Sequence, residues 1–418
     1  VQLAVDTPRV SKSQTLSALS WFFVAVGVIV FFAALWTGYD PKLVWGAYYT
    51  NFLFFAGLAA GGVMTSVIVQ IVRAVWCVPV RRIGEAHASF LPYVFFLFLG
   101  TYFGKEYLFP WATAPMPGRE WWMQPNFVYL RFAILFFLLF YALHRYVSWS
   151  LRSDVGFCRE NASNKELWKG FGYKTLTSGW KGSEEEIPEL QRKMSIFAPV
   201  IVVLYAVVWT LFATEMICGM DTIWFSNMFG GFEFLGNIYM AWAAIAVIAA
   251  VLARHHEGFS REVKPRQLWD LGMLTFGFCM LWGYTFFSQF LPQWYSNMPE
   301  ETQWLILRTR EMPWMSLGWL TFACAFIIPF ITLLSEDIKR VPGAFAVVAS
   351  IVWLGLWMER YVVVMAQLSP SEIPFGPVEV SIFLGMLGVY LLCLQSFFNR
   401  YPFMTVSHPQ AQGETSSW

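Results

Sequence analysis

The chain has 418 residues, 57% of them hydrophobic and only 13% charged, with a mean hydropathy of +0.51 and a formal net charge of +1. Soluble globular chains carry about 25% charged residues, so the composition excludes an ordinary soluble enzyme, and with no extended Lys/Arg run the chain has no electrostatic footprint for nucleic acid. Aromatic residues reach 19%, which suits a helix bundle with aromatic belts at two membrane interfaces.

Residues 1–20 are polar, lack the layout of a cleavable signal peptide and lead into a full-length span. Crossing a bilayer takes about 20 consecutive apolar helical residues. Stretches of that kind predict ten helices, near 16–37, 46–72, 84–104, 127–147, 195–216, 229–253, 269–290, 314–334, 344–367 and 377–398. Their continuity argues against a β-barrel, whose strands alternate over about ten residues. The expected fold class is an all-α integral membrane protein. Residues 1–45 form a tail and first helix, 46–216 a first four-helix bundle with a surface loop at 151–192, 217–368 a second four-helix bundle, and 369–418 a last helix and tail.

In chain order, span two carries Gly57, Gly61 and Gly62, a small-residue face for close helix packing. Span three opens with Glu85 and His87. Span five ends near Glu215 and Asp221, span six begins with Glu233, and span seven begins with Asp270. Span nine holds Glu359 and Arg360 well away from both ends. An ionisable group at the bilayer centre costs at least ~2.5 kcal/mol, so each needs a partner or a water path. Consecutive helical residues point about 100° apart, so Glu359 and Arg360 are expected to find partners elsewhere and not each other. Acids near both membrane faces outline two half-channels for protons. Glu85, Glu336, Asp337 and Glu379 also admit the plainer reading of carboxylates that solvate helix ends, and Glu359 with Arg360 that of a bundle-locking ion pair.

The segment that follows span seven reads Gln289, Phe290, Leu291, Pro292, Gln293, Trp294, Tyr295 and is expected to be an outer loop. Its amides and rings can meet a quinone head, with Gln289, Gln293, Trp294 and Tyr295 as candidate contacts; an aromatic belt is the commoner explanation. A haem pair would need two ligands at one depth, for which His87 and His144 are the candidates; His255, His256 and His408 read as solvated surface residues. The six cysteines contain no CxxC pair, so no iron–sulfur or zinc site is encoded locally.

Three short matches recur in order. Phe52 to Gly57 resembles Gly231 to Gly236, Phe109-Pro110-Trp111 resembles Leu291-Pro292-Gln293-Trp294, and Trp209 with Glu215 repeats as Trp353 with Glu359. They suggest that spans two to five and six to nine are parallel repeats about a pseudo-two-fold along the membrane normal. Lys and Arg divide about 21 to 5 between the two sides, which predicts that both termini are cytoplasmic.

Several of these segments resemble a known family. Phe287-Ser288-Gln289-Phe290-Leu291 with Trp294 to Thr302, Arg81 to Ala86, and Asp221 to Gly230 are similar to the F-type membrane subunit of bacterial alternative complex III, over nearly the whole length. That subunit belongs with the membrane anchors of polysulfide and nitrite reductases. The resemblance implies a subunit of the inner membrane that is not catalytic alone and holds no cofactor of its own. It implies a paralogous C-type subunit, an iron–sulfur/molybdopterin-like subunit, haem c subunits and lipids as partners, and menaquinol or ubiquinol as the substrate. The F-type subunit is the one linked to proton movement, for which Glu359, Arg360, Glu215, Asp221, Glu233, Glu85, His87 and Asp270 are the candidates. Met358-Glu359-Arg360-Tyr361 looks closer to the C-type paralogue, which leaves a quinol site in this chain open. The alternatives are a secondary transporter and a passive anchor for redox subunits.

Overall fold

The computed structural model describes residues 9–74 and 76–408, together with Val5. Among them there is no strand, and ten helices are long and apolar enough to cross a membrane: Gln14–Trp36, Pro41–Ile71, Val78–Leu108, Pro125–Asn161, Ser183–Met220, Phe229–His255, Pro265–Ser296, Trp314–Thr332, Pro342–Leu368 and Pro377–Arg400. The chain is an all-α, multi-pass membrane protein.

Local chemistry sets the helix starts. Spans two, seven, nine and ten each begin with proline at the first helical position, where its missing N–H is not needed and its φ already suits a helix. Ser13 caps span one through a side-chain bond from Leu16 N–H, and Asp40 caps span two through one from Lys42 N–H. Glu379 reaches back to the N–H of Gly376 at 2.8 Å, closing the first turn of span ten.

Span two is buried along almost its whole length and packs against spans three, five, six, nine and ten. Its glycines do what the sequence suggests. A Cβ on Gly61 would lie 2.3 Å from the backbone oxygen of Asn237, and one on Gly57 2.0 Å from that residue's side-chain oxygen, so only glycine lets span six come this close. Spans one and ten pair along their length, with a Cβ on Gly27 meeting Gly385 Cα at 2.5 Å. Span one is otherwise turned outward, exposing Trp21, Phe22, Ile29 and Phe32. Such a surface suits lipid and not water.

Two expected loops are helical. Span four continues to Asn161 and span five starts at Ser183, so the supposed loop at 151–192 shrinks to 162–182 with short turns at Lys165–Trp168 and Phe171–Leu176. Helical hydrogen bonding does not stop where apolar side chains do, and Glu184, Glu185 and Glu186 in the first turn favour the positive end of the span-five dipole. Likewise span seven runs through Pro292 to Ser296 and is followed by a helix at Pro299–Thr309. Gln289 and Gln293 therefore stand one turn apart on a helix face, not in a loop.

One end of the bundle gathers Val10 and the segment after span ten: Val10 N–H bonds Phe398 O, the Tyr173 hydroxyl donates to Arg400 O, and Thr405 donates to Val78 O. It is called the basic end below, for the Lys and Arg residues that cluster there.

Candidate functional site

Span six presents Glu233 and Asn237 one turn apart, and span nine presents Glu359 and Arg360 opposite them. Arg360 Nη2 lies 2.8 Å from Glu233 Oε2 and donates to Asn237 Oδ1 at 3.0 Å. Its Nη1 donates to Glu359 Oε1, so the expectation that the two neighbours avoid each other is wrong. A guanidinium on a three-carbon stem is long enough to fold back across the helix surface, whatever the angle between the Cα–Cβ bonds. Trp282, on span seven, donates its indole N–H to Glu359 Oε2 at 3.0 Å. Glu233, Glu359 and Arg360 are each 5% exposed or less, yet two carboxylates share one guanidinium. Glu233 Oε1 and Arg360 Nε make no hydrogen bond to the described residues.

Glu359 also lines a cavity of ≈ 430 Å³ that runs toward the end opposite the basic one. Its walls are Trp282, Phe286 and Phe322, and Gln289, Gln293 and Arg308 bring the polar groups. Phe286 stacks on Trp282 with 6° between the rings. A few convergent polar groups in a mostly aromatic pocket of this size is the usual form of a small-molecule site. Of the four residues expected to meet a quinone, Gln289 and Gln293 line this cavity. Trp294 and Tyr295 are instead 60% and 85% exposed, turned out by the helical register that turns Gln293 in.

Arg308, Trp304 and Trp224 join the site without a signal in the sequence that sets them apart. Trp224 and Trp304 stack at 4.0 Å, and the Arg308 guanidinium lies 3.9 Å from the centre of the Trp304 ring. Nothing local distinguishes Arg308 from an ordinary basic residue of an outer loop. Its burial follows from the fold of helix Pro299–Thr309 onto span nine.

The other predicted residues lie apart from the cavity. At the basic end Glu85 is fully buried, against the expectation of a carboxylate solvating a helix end. It accepts from Arg81 Nε at 3.2 Å, from Ser66 and Ser150 at 2.9 Å each, and from Arg82, which also pairs with Asp154. Two arginines balance two carboxylates, and the N–H of Ser407 completes Asp154 at 2.8 Å. Glu379 is buried as well, whereas Glu336 and Asp337 are exposed.

His87 is fully buried, with Nδ1 2.9 Å from Ile83 O and Nε2 2.8 Å from the Tyr390 hydroxyl. His144 is exposed, so the two histidines do not form a matched axial pair. His256 is half-buried and accepts from Phe259 N–H at 3.0 Å, and His408 is buried, so neither is the solvated surface residue expected. At the opposite end Glu215 lies in a π-turn at Ala213–Ile217, paired with Arg131 and accepting from the Trp122 indole at 2.9 Å. Asp221 accepts from the N–H groups of Ile223 and Trp224, and Asp270 is half-buried near the start of span seven.

The structure thus brings Glu233, Glu359, Arg360, Gln289 and Gln293 into one site and leaves the Glu85 cluster, the His87–Tyr390 pair, the Glu215–Arg131 pair, Asp221 and Asp270 outside it. Neither the family models nor the curated proteins compared with this chain gave a match.

Proposed function

We propose that this chain is the F-type membrane subunit of a bacterial quinol-oxidising complex and that its cavity receives the quinol ring. The observation that carries the reading is the carboxylate of Glu359 on the wall of an aromatic cavity, backed by Arg360 and Glu233. Oxidising a quinol removes two electrons and two protons. The electrons pass to iron–sulfur and haem c groups of partner subunits, and a proton needs an acceptor within hydrogen-bond reach of the ring hydroxyl. Glu359 fills that role for both protons in turn, passing the first on before it takes the second. With two carboxylates around one arginine, the group can bind a proton and still leave Arg360 paired. Glu233, behind it on span six, offers the next site on a proton route. Gln289 and Gln293 supply amides for ring oxygens.

On this reading the chain sits in the inner membrane with both termini cytoplasmic, beside a paralogous C-type subunit, and is not catalytic alone. Menaquinol and ubiquinol both fit the chemistry. The test is Glu359→Gln in the complex purified from native membranes, followed by quinol-dependent reduction of the acceptor. Loss of a general base lowers turnover by about 10²-fold or more. Unchanged turnover, with unchanged proton release, supports a passive anchor instead.

A further inference from the structure

Arg308 is the second buried ion of the cavity, and its partners are of an unusual kind. It is 4% exposed. Nε donates to Val362 O at 3.2 Å, Nη2 to Val363 O at 2.9 Å and Nη1 to Trp304 O at 2.9 Å. All three acceptors are neutral backbone carbonyls, and among the described residues no carboxylate lies within 4.0 Å of the guanidinium. Buried cations are normally paired with an anion, because carbonyl dipoles replace hydration but not charge. The acid whose charge acts on it, Asp221, spends Oδ1 on the N–H groups of Ile223 and Trp224. Burial pushes the guanidinium down to about 9.

A guanidinium has five N–H donors. Three are used here, which leaves one on each terminal nitrogen, and Arg308 is part of the cavity wall. Val362 and Val363, which anchor it, lie three and four residues beyond Glu359, one helical turn or ~5.4 Å along span nine. Glu359 and Arg308 both line the cavity, so an acceptor and a forked donor face one enclosed space, as recognition of two oxygens on one ring requires.

We infer that Arg308 is the oxygen-recognising residue of this cavity, binding a ring oxygen of partial or full negative charge while the opposite oxygen faces Glu359. The inference rests on the quinol-site reading and adds to it the selectivity of the site: ring oxyanions and N-oxides are held more tightly than isosteres without the oxygen. Fixed by three carbonyls and a stacked ring, the guanidinium is held in place before the ligand arrives.

The experiment uses the chain solubilised from native membranes with the partners it retains. The probes are 2-heptyl-4-hydroxyquinoline N-oxide, followed by its fluorescence quenching, and 2-heptylquinoline as the neutral competitor. Arg308→Lys keeps the charge but loses the fork, and is expected to weaken N-oxide binding at least ~10-fold, with Arg308→Gln weaker still. Binding of 2-heptylquinoline stays within about twofold in both variants, since it offers the arginine no oxygen. Leu305→Trp, which fills the cavity, abolishes both. If the two probes weaken equally in the Arg308 variants, the residue only supports the wall and the inference fails. If the variants bind the N-oxide as the native chain does while Glu359→Gln and Leu305→Trp do not, the inference fails and the quinol site stands. If Leu305→Trp leaves N-oxide binding unchanged, the probe binds elsewhere and both readings fall.

Discussion

Arg360 Nη2 of span nine lies 2.8 Å from Glu233 Oε2 of span six, with both side chains 1% exposed. The contact ties spans six and nine inside the helical bundle, and each ion depends on the other to remain there.

Removing the shared cation should therefore be worse than removing either acid. Arg360→Met leaves two carboxylates buried and uncompensated, and is expected to destabilise the chain by roughly 3–5 kcal/mol. Glu233→Gln leaves Arg360 with Glu359 and is expected to lose about 1–3 kcal/mol. Thermal unfolding in detergent micelles ranks the two variants. An Arg360→Met chain as stable as the native one contradicts the burial argument.

Glu85 holds Arg81 and Arg82 at the basic end, whereas Glu336 makes a surface pair with Arg340, both about half exposed. Glu85→Ala is expected to lower stability by roughly 3–5 kcal/mol, or to prevent accumulation of the folded chain. Glu336→Ala should change it by less than about 1 kcal/mol. Equal effects from the two substitutions would show that burial does not set the energy of the basic-end cluster.

His408 lies outside the spans in a segment that is buried from Pro402 to His408 and touches the same cluster through Ser407. Burial, helped by the charge of Arg81, pushes its imidazole down to about 4 from an ordinary 6.5. A histidine whose folded value is depressed binds its proton more readily when unfolded, so its neutral form supports the fold above pH 6.5. That support is lost as pH falls toward 4. The unfolding midpoint is expected to drop across this window, and His408→Asn to flatten that part of the profile. A profile unchanged by the substitution assigns the acid sensitivity to other groups.

What the sequence determined by itself is the membrane architecture. Hydropathy is summed over neighbouring residues of one helix, so Gln14–Trp36 or Phe229–His255 declares itself without knowledge of what it packs against. Helix starts are equally local: Pro265, Pro342 and Pro377 mark them because a proline's effect reaches only one turn. The glycines of span two were legible for a related reason, since Gly57 and Gly61 share one helix face wherever that helix lies.

Only the tertiary structure decided which ions are solvated, which are locked and which meet a cavity. Arg360 reaches Asn237 across 123 positions, Trp282 reaches Glu359 across 77, and Arg308 finds its carbonyls 54 and 55 positions away. Glu85 and Glu336 look alike in sequence, but one is fully buried and the other exposed. Helical periodicity fixes the direction of a side chain about its own axis and carries no information on the distance to another helix. The energy of a buried charge depends on that distance and on the absence of water.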